Sequence, residues 1–228
     1  MKSFFKTVAI FSGLTTIVAA PAAAQGAVFV DFQTVKVSGG TEFVSQYALR
    51  DAFVATPGPA NQGYGSVSFG EVSANVWYSK GIETSVGDEL DLGVAWKREL
   101  GNDSSVKLVY NRYFINDAPD MDEYTVTYST GDFDASYTYY TWHEGMEDGQ
   151  RINGGYNYAV DDKLSGRFDL TAETGLGLSD SLVVGADLNY AITDNLTLGG
   201  TVLVPFTKKD DGRDTIFVAN IGYAFKGL

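Results

Sequence analysis

The chain has 228 residues, no cysteine and a formal net charge of −13 at pH 7. Without cysteine it can form neither disulfide bonds nor thiolate metal sites. The acidic balance argues against nucleic acid as a partner, because binding to a phosphate backbone requires a basic surface.

The first 24 residues have the layout of a secretory signal peptide. A short basic start precedes an uncharged apolar stretch that ends at Ala20, and small alanines precede Gln25. We therefore predict residues 1–24 as a signal peptide. Residues 25–40 are predicted as an N-terminal extension or the start of the first strand, and residues 41–228 as one β domain. No later segment has 18 consecutive apolar residues, so the pattern predicts no transmembrane helix.

Short segments with a period of two follow along the rest of the chain. The clearest one places Leu90, Leu92 and Val94 between polar or small residues. This alternation is typical of a β-strand with one apolar and one wet face, whereas a helix places apolar residues three and four positions apart. The predicted strands are 41–54, 62–70, 72–82, 87–99, 104–116, 122–130, 132–143, 149–160, 163–174, 181–192, 195–206 and 214–226.

The joints between these strands alternate in length. The tight ones, rich in Gly, Asn and Asp, are 70–71, 100–103, 130–132, 161–162 and 193–194. The longer ones are 55–61, 83–86, 117–121, 144–148, 175–180 and 207–213. Outer-membrane barrels have short periplasmic turns and longer external loops. We therefore predict an all-β fold: a transmembrane antiparallel up-and-down β-barrel of twelve strands with both termini periplasmic.

Aromatic residues near the strand ends favour rings of side chains at the two membrane interfaces. They are Phe43, Phe53, Tyr64, Tyr78, Tyr113, Phe114, Tyr139, Tyr140, Trp142, Tyr190, Phe206, Tyr223 and Phe225. The last strand alternates Phe217, Ile221 and Phe225, and it looks like the C-terminal signature of outer-membrane barrels. The expected partners are outer-membrane lipid, lipopolysaccharide and the barrel-assembly machinery. The sequence is also compatible with a homo-oligomer.

The candidate functional residues are charged residues on the polar side of the strands, which is predicted to face the barrel interior. The predicted pore-lining residues are Arg50, Asp91, Lys97, Lys107, Glu123, Arg167, Asp169, Glu173 and Asp187. Charges of both signs in a narrow bore either pair and fill it or set a transverse field for passing solutes.

The single histidine, His143, stands beside Glu144, Glu147 and Asp148. A hydrolase needs a nucleophile, a base and an orienting group within mutual reach, and no serine motif accompanies this histidine. The acidic loops have no EF-hand spacing. We therefore predict no enzymatic activity, no cofactor and no specific metal site.

The first predicted strand carries a family resemblance. The segment Val44-Ser45-Gln46-Tyr47-Ala48-Leu49-Arg50 resembles the V-S-x-Y-x-F-R-G strand of the TorF-type (Gcw_chp) porin family, and the strand at 89–94 has that family's acid-leucine pattern. Leu49 and Asp51 depart from the family's aromatic residue and glycine. The resemblance implies an outer-membrane, porin-like barrel and supplies no catalytic residue.

Three functions are compatible with these patterns. The first is an outer-membrane, porin-like channel for passive diffusion of small hydrophilic solutes or ions. The second is a non-conducting barrel with a structural or adhesive role, whose lumen is sealed by paired charges. The third is a soluble periplasmic β-barrel that binds an apolar ligand, which requires the apolar faces of the strands to point inward.

Overall fold

A computed structural model describes residues 35–50, 52–85, 87–143, 147–175, 180–206 and 214–226. The predicted signal peptide and residues 25–34 lie outside this described part. The strands are β1 (Val35–Val44), β2 (Tyr47–Ala48), β3 (Val54–Thr56), β4 (Ala60–Phe69), β5 (Val72–Gly81), β6 (Glu89–Gly101), β7 (Ser104–Ile115), β8 (Met121–Thr130), β9 (Phe133–Trp142), β10 (Gly149–Ala159), β11 (Leu164–Gly175), β12 (Ser181–Ala191), β13 (Leu196–Pro205) and β14 (Ile216–Lys226).

Twelve of these strands form a closed antiparallel barrel, which confirms the predicted all-β barrel and its strand number. Strands β4 to β14 pair in chain order, and β1 closes the sheet between β14 and β4. Closure leaves no edge unpaired in the barrel, so each of its twelve strands has hydrogen-bonded neighbours on both sides. Eleven of the predicted strands agree with the structure to within two residues at each end.

The prediction for the first strand is wrong. The strand spans Val35–Val44 instead of 41–54, so residues 35–40 belong to the barrel. Gly39 and Gly40 interrupt the apolar pattern there, yet both are needed in the strand. A Cβ atom on Gly40 would lie 2.8 Å from the ring of Tyr64. The second half of the prediction instead forms the separate hairpin of β2 and β3.

The barrel wall has one apolar and one polar surface. Leu90, Val94 and Leu188 face the exterior and are 41%, 51% and 48% exposed. Their neighbours along the chain, such as Asp91 and Asp187, face the interior and are buried. The exterior charged side chains of the described strands are confined to positions near strand ends: Lys80, Arg98, Arg112 and Asp122.

The connections make the two ends of the barrel different. Tight turns lie at one end, where Gly70, Gly131 and Asn102 adopt positive φ angles of 57°, 54° and 51°. The start of β1 and the end of β14 lie at this same end, since Val35 pairs with Phe69 beside the first tight turn. The described part of the chain contains no helix long and apolar enough to cross a membrane.

Candidate functional site

The structure brings the nine candidate residues together around the barrel interior. Eight of them occupy interior-facing positions of strands: Asp91, Lys97, Lys107, Glu123, Arg167, Asp169, Glu173 and Asp187. Arg50 is the ninth, and it lies on the connection between β1 and β4 rather than on a barrel strand. Lys97 and Lys107 face each other near the tight-turn end, where Lys97 Nζ lies 2.8 Å from Glu99 Oε1.

The connection between β1 and β4 folds into the barrel. We call residues 45–59, of which Asp51 lies outside the described part, the inward segment. Near its start, the ring of Tyr47 lies 5.4 Å from the ring of Trp77 on β5. Three residues later Arg50 contacts Asp169 and Asp187, on β11 and β12. These strands are far apart around the barrel, so the inward segment crosses the bore.

Buried contacts hold the middle and the end of the inward segment. Ala52 is 2% exposed and packs with Val183, Leu203 and Ile216 at interior positions of β12 to β14. The Thr56 hydroxyl donates to the Gly87 carbonyl at 3.2 Å. A segment fixed by apolar packing and hydrogen bonds has a defined position in the bore.

Arginines and carboxylates pair on the wall formed by β9 to β12. Arg167 donates from Nη1 and Nη2 to the two carboxylate oxygens of Asp134, at 2.5 and 2.9 Å. Arg151 Nε donates to Glu173 at 2.5 Å, and its guanidinium group lies 5.2 Å from the ring centre of Tyr140. A bidentate pair, with two parallel hydrogen bonds, fixes the orientation of an arginine more firmly than a single contact does.

Near the longer connections, the wall formed by β6 to β8 carries acids instead. Glu89 and Asp91 on β6 and Glu123 on β8 take part in none of the ion pairs found among the described residues. Glu123 accepts hydrogen bonds from neutral donors, Asn111 at 3.0 Å and the Tyr113 hydroxyl at 2.6 Å. The interior is therefore asymmetric: the charges on one wall are paired, whereas on the other wall the carboxyl groups near the longer connections take part in no ion pair and Lys97 and Lys107 lie at the opposite end.

Tyr47 connects the inward segment to this acidic wall. Burial, and then the charges of Glu89 and Asp91, hold the pKa of the Tyr47 hydroxyl well above its usual range. The hydroxyl therefore keeps its proton beside these carboxyl groups.

The aromatic prediction is only partly right. Tyr78, Phe114, Tyr139, Tyr190, Tyr223 and Phe225 face the exterior, as an interfacial ring requires. Four others face the interior: Tyr64, Tyr113, Tyr140 and Trp142. Alternation along each strand predicts this interior position, because each of the four rings lies on the same side of its strand as the interior polar residues.

Some interior charges were absent from the prediction. They include Glu42, Glu89, Asp134 and Arg151, and strand alternation alone could have identified them. His143 lies at the end of β9, where its Nε2 atom is 2.8 Å from Asp122. Arg112 also contacts this exterior pair. The cluster lies on the outside of the barrel, away from the bore.

The interior contains a small cavity beside the inward segment. A cavity of about 160 Å³ separates the inward segment from the wall, and its lining includes Glu42, Arg50 and Asn220. In the part of the chain that the structure describes, no three acidic or histidine side chains are placed to hold a metal ion.

The barrel is similar to solved porins at low sequence identity. It matches the KdgM porin in complex with disordered oligogalacturonate with a TM-score of 0.59 and 12% identity, over 83% of this chain and 99% of that one. It matches the NanC porin with a TM-score of 0.56 and 12% identity, over 85% and 100% of the two chains. The sequence matches no protein-family model and has no significant similarity to a curated protein. The chain thus shares its barrel fold with the KdgM and NanC porins.

Proposed function

We propose that this protein is an outer-membrane channel for the passive diffusion of small hydrophilic solutes or ions. In this proposal the twelve barrel strands cross the bilayer. The tight turns and both ends of the barrel are periplasmic, and the longer connections face outward. The nine candidate residues line the diffusion path.

The two-sided wall is the observation that carries the proposal. Exterior positions such as Leu90, Val94 and Leu188 are apolar and exposed, while interior positions carry charges. Hydrocarbon accepts the first surface and excludes the second, and water fills a bore lined by charged groups. The soluble-barrel hypothesis requires the opposite arrangement and is wrong on this point, because the large apolar side chains of the strands point outward.

The inward segment gives the channel its narrowest part. A twelve-stranded barrel is wider than an eight-stranded one, whose interior is filled by side chains alone. Here the inward segment occupies part of that width, and Arg50 holds it against Asp169 and Asp187. The remaining opening therefore favours small solutes.

One observation favours the second candidate, a non-conducting barrel. The interior arginines are already paired, Arg167 with Asp134 and Arg151 with Glu173. If these pairs and the inward segment close the bore completely, the function resides in the longer connections. This arrangement suits a structural or adhesive surface protein.

Single-channel recording separates the two candidates. Protein refolded in detergent is added to a planar lipid bilayer in potassium chloride, and heat-modifiable gel migration verifies that the barrel is intact. Discrete conductance steps are expected of a channel. An intact barrel that inserts without conductance would contradict the channel proposal and favour the structural one.

The finer family assignment and the partners belong to the same proposal. Membership of the TorF-type family is supported by the segment Val44–Arg50, which the structure places at the end of β1 and in the inward segment. Outer-membrane lipid, lipopolysaccharide and the barrel-assembly machinery are the partners that a spanning barrel requires. Passive diffusion needs no catalytic residue, which accords with a protein that is not an enzyme.

A further inference from the structure

Three carboxyl groups lie at interior positions of the acidic wall, two on β6 and one on β8. Asp91 pairs across the sheet with Trp77 on one side and with Tyr113 on the other. Glu89 precedes it on the same face of β6, and Glu123 is bound to the Tyr113 hydroxyl. Carboxyl groups are therefore concentrated on a few neighbouring side chains of β6 to β8.

One oxygen in this group has no donor. Asp91 is 8% exposed, and its Oδ1 atom has no hydrogen-bond partner among the described residues. A buried carboxylate oxygen is normally satisfied, so this atom marks the position of a missing donor.

Aromatic rings surround the same position. The rings of Tyr47 and Trp77 lie 5.4 Å apart, and Tyr113 packs with Met121 and Tyr140. The face of an aromatic ring attracts cations, and the attraction is greatest where water is excluded. Carboxylates combined with aromatic rings form the environment that proteins use for organic ammonium groups.

We propose that Glu89, Asp91 and Glu123, together with Tyr47 and Trp77, bind the ammonium group of a small organic cation. An ammonium group has three donors, which suits the unpartnered oxygen and its neighbouring carboxyl groups. A divalent metal ion instead requires several oxygens around one point, and the described residues offer no such group. The inference rests on the proposed channel function and specifies its solute class.

Direct binding to the refolded protein tests this site. Isothermal titration calorimetry in detergent measures 1,4-diaminobutane, with magnesium chloride as a second titrant. The variants are Asp91→Asn and Glu123→Gln. The matched control is Glu42→Gln, which removes one interior charge on β1, where Asn220 donates to the carboxylate. Heat-modifiable migration shows that each variant has folded.

We expect saturable binding of 1,4-diaminobutane by the wild type and by Glu42→Gln. In Asp91→Asn and Glu123→Gln the affinity should fall by at least about tenfold, because each loses a carboxyl group that can ionise beside the bound ammonium. Equal affinities in all three variants would overturn the site, since binding would then follow total charge. Tighter binding of magnesium than of 1,4-diaminobutane would also overturn it, as would the absence of saturable binding by the wild type.

Conductance separates this inference from the proposed function. A barrel that conducts potassium chloride but does not bind 1,4-diaminobutane overturns the cation site alone. A barrel that binds 1,4-diaminobutane without conducting overturns the channel alone.

Discussion

The guanidinium group of Arg50 donates to both carboxylate oxygens of Asp187, at 2.6 and 3.3 Å, although 137 residues separate the two in sequence. The same guanidinium lies 3.1 Å from Asp169. Both carboxylates belong to the barrel wall, whereas Arg50 belongs to the inward segment. This contact therefore fixes the inward segment against the barrel wall.

Arg50→Ala should widen the channel. Without the guanidinium group the inward segment loses its attachment to β11 and β12, and we expect a larger single-channel conductance. The free energy of unfolding should fall by about 1–3 kcal/mol, because two carboxylates lose a charged partner that is itself partly exposed.

Lys80→Ala is the control for this variant, because it removes the exposed ion pair with Asp88 outside the bore. Its conductance should equal that of the wild type. The same conductance in Arg50→Ala and the wild type would show that the inward segment does not limit the path.

Gly155→Ala should weaken the barrel where Arg167 crosses β10. A Cβ atom at residue 155 would lie 1.9 Å from Arg167 Nη2, so the guanidinium must leave its two-pronged contact with Asp134. The expected loss is about 1–3 kcal/mol in the free energy of unfolding, measured by urea titration in detergent.

Gly154→Ala is the matched control for Gly155→Ala. Residue 154 is the next position along β10 and faces the exterior, where an added Cβ atom would meet nothing within 4 Å. Its urea midpoint should equal or slightly exceed that of the wild type. Equal losses in both variants would show that glycine itself, rather than the Arg167 contact, matters on this strand.

Asp161 should give the tight turn between β10 and β11 a pH-dependent stability. Its carboxylate accepts the amides of Lys163 and Leu164, both at 2.8 Å, and these bonds lower its pKa. A lowered pKa in the folded state stabilises the protein above the unfolded value of about 3.9, and this stabilisation is lost as the pH falls through the folded value.

The urea midpoints of the wild type and Asp161→Ala should therefore differ at neutral pH and converge in acid. Asp162→Ala, in the same turn, is the control, since the two amides bind Asp161. A difference that persists unchanged below the folded pKa of Asp161 would contradict the role of its charge.

The barrel was predictable because each strand carries its own evidence. Leu90, Leu92 and Val94 identify an exterior face without reference to any other part of the chain. The tight turns are equally local, since Gly70 and Gly131 adopt conformations that few other residues tolerate. Strand number and alternation therefore follow from short stretches of sequence.

The inward segment was not predictable in this way. The residues that follow Val44 resemble a continuation of β1 in sequence, because no turn signal marks the end of that strand. Its true position depends on Arg50 meeting Asp187, and no local pattern reports a contact across the barrel. The acidic site around Asp91 likewise depends on cross-strand neighbours, Trp77 and Tyr113, which only the register reveals.

The central claim is that hydrocarbon covers one face of each strand and water the other, and the two adjacent residues Leu188 and Asn189 test it most directly. The chain has no cysteine, so Leu188→Cys and Asn189→Cys each carry a single thiol. In lipid vesicles, a charged methanethiosulfonate reagent should modify the thiol of Asn189→Cys and leave that of Leu188→Cys unmodified. Rapid modification of Leu188→Cys together with protection of Asn189→Cys would contradict the account.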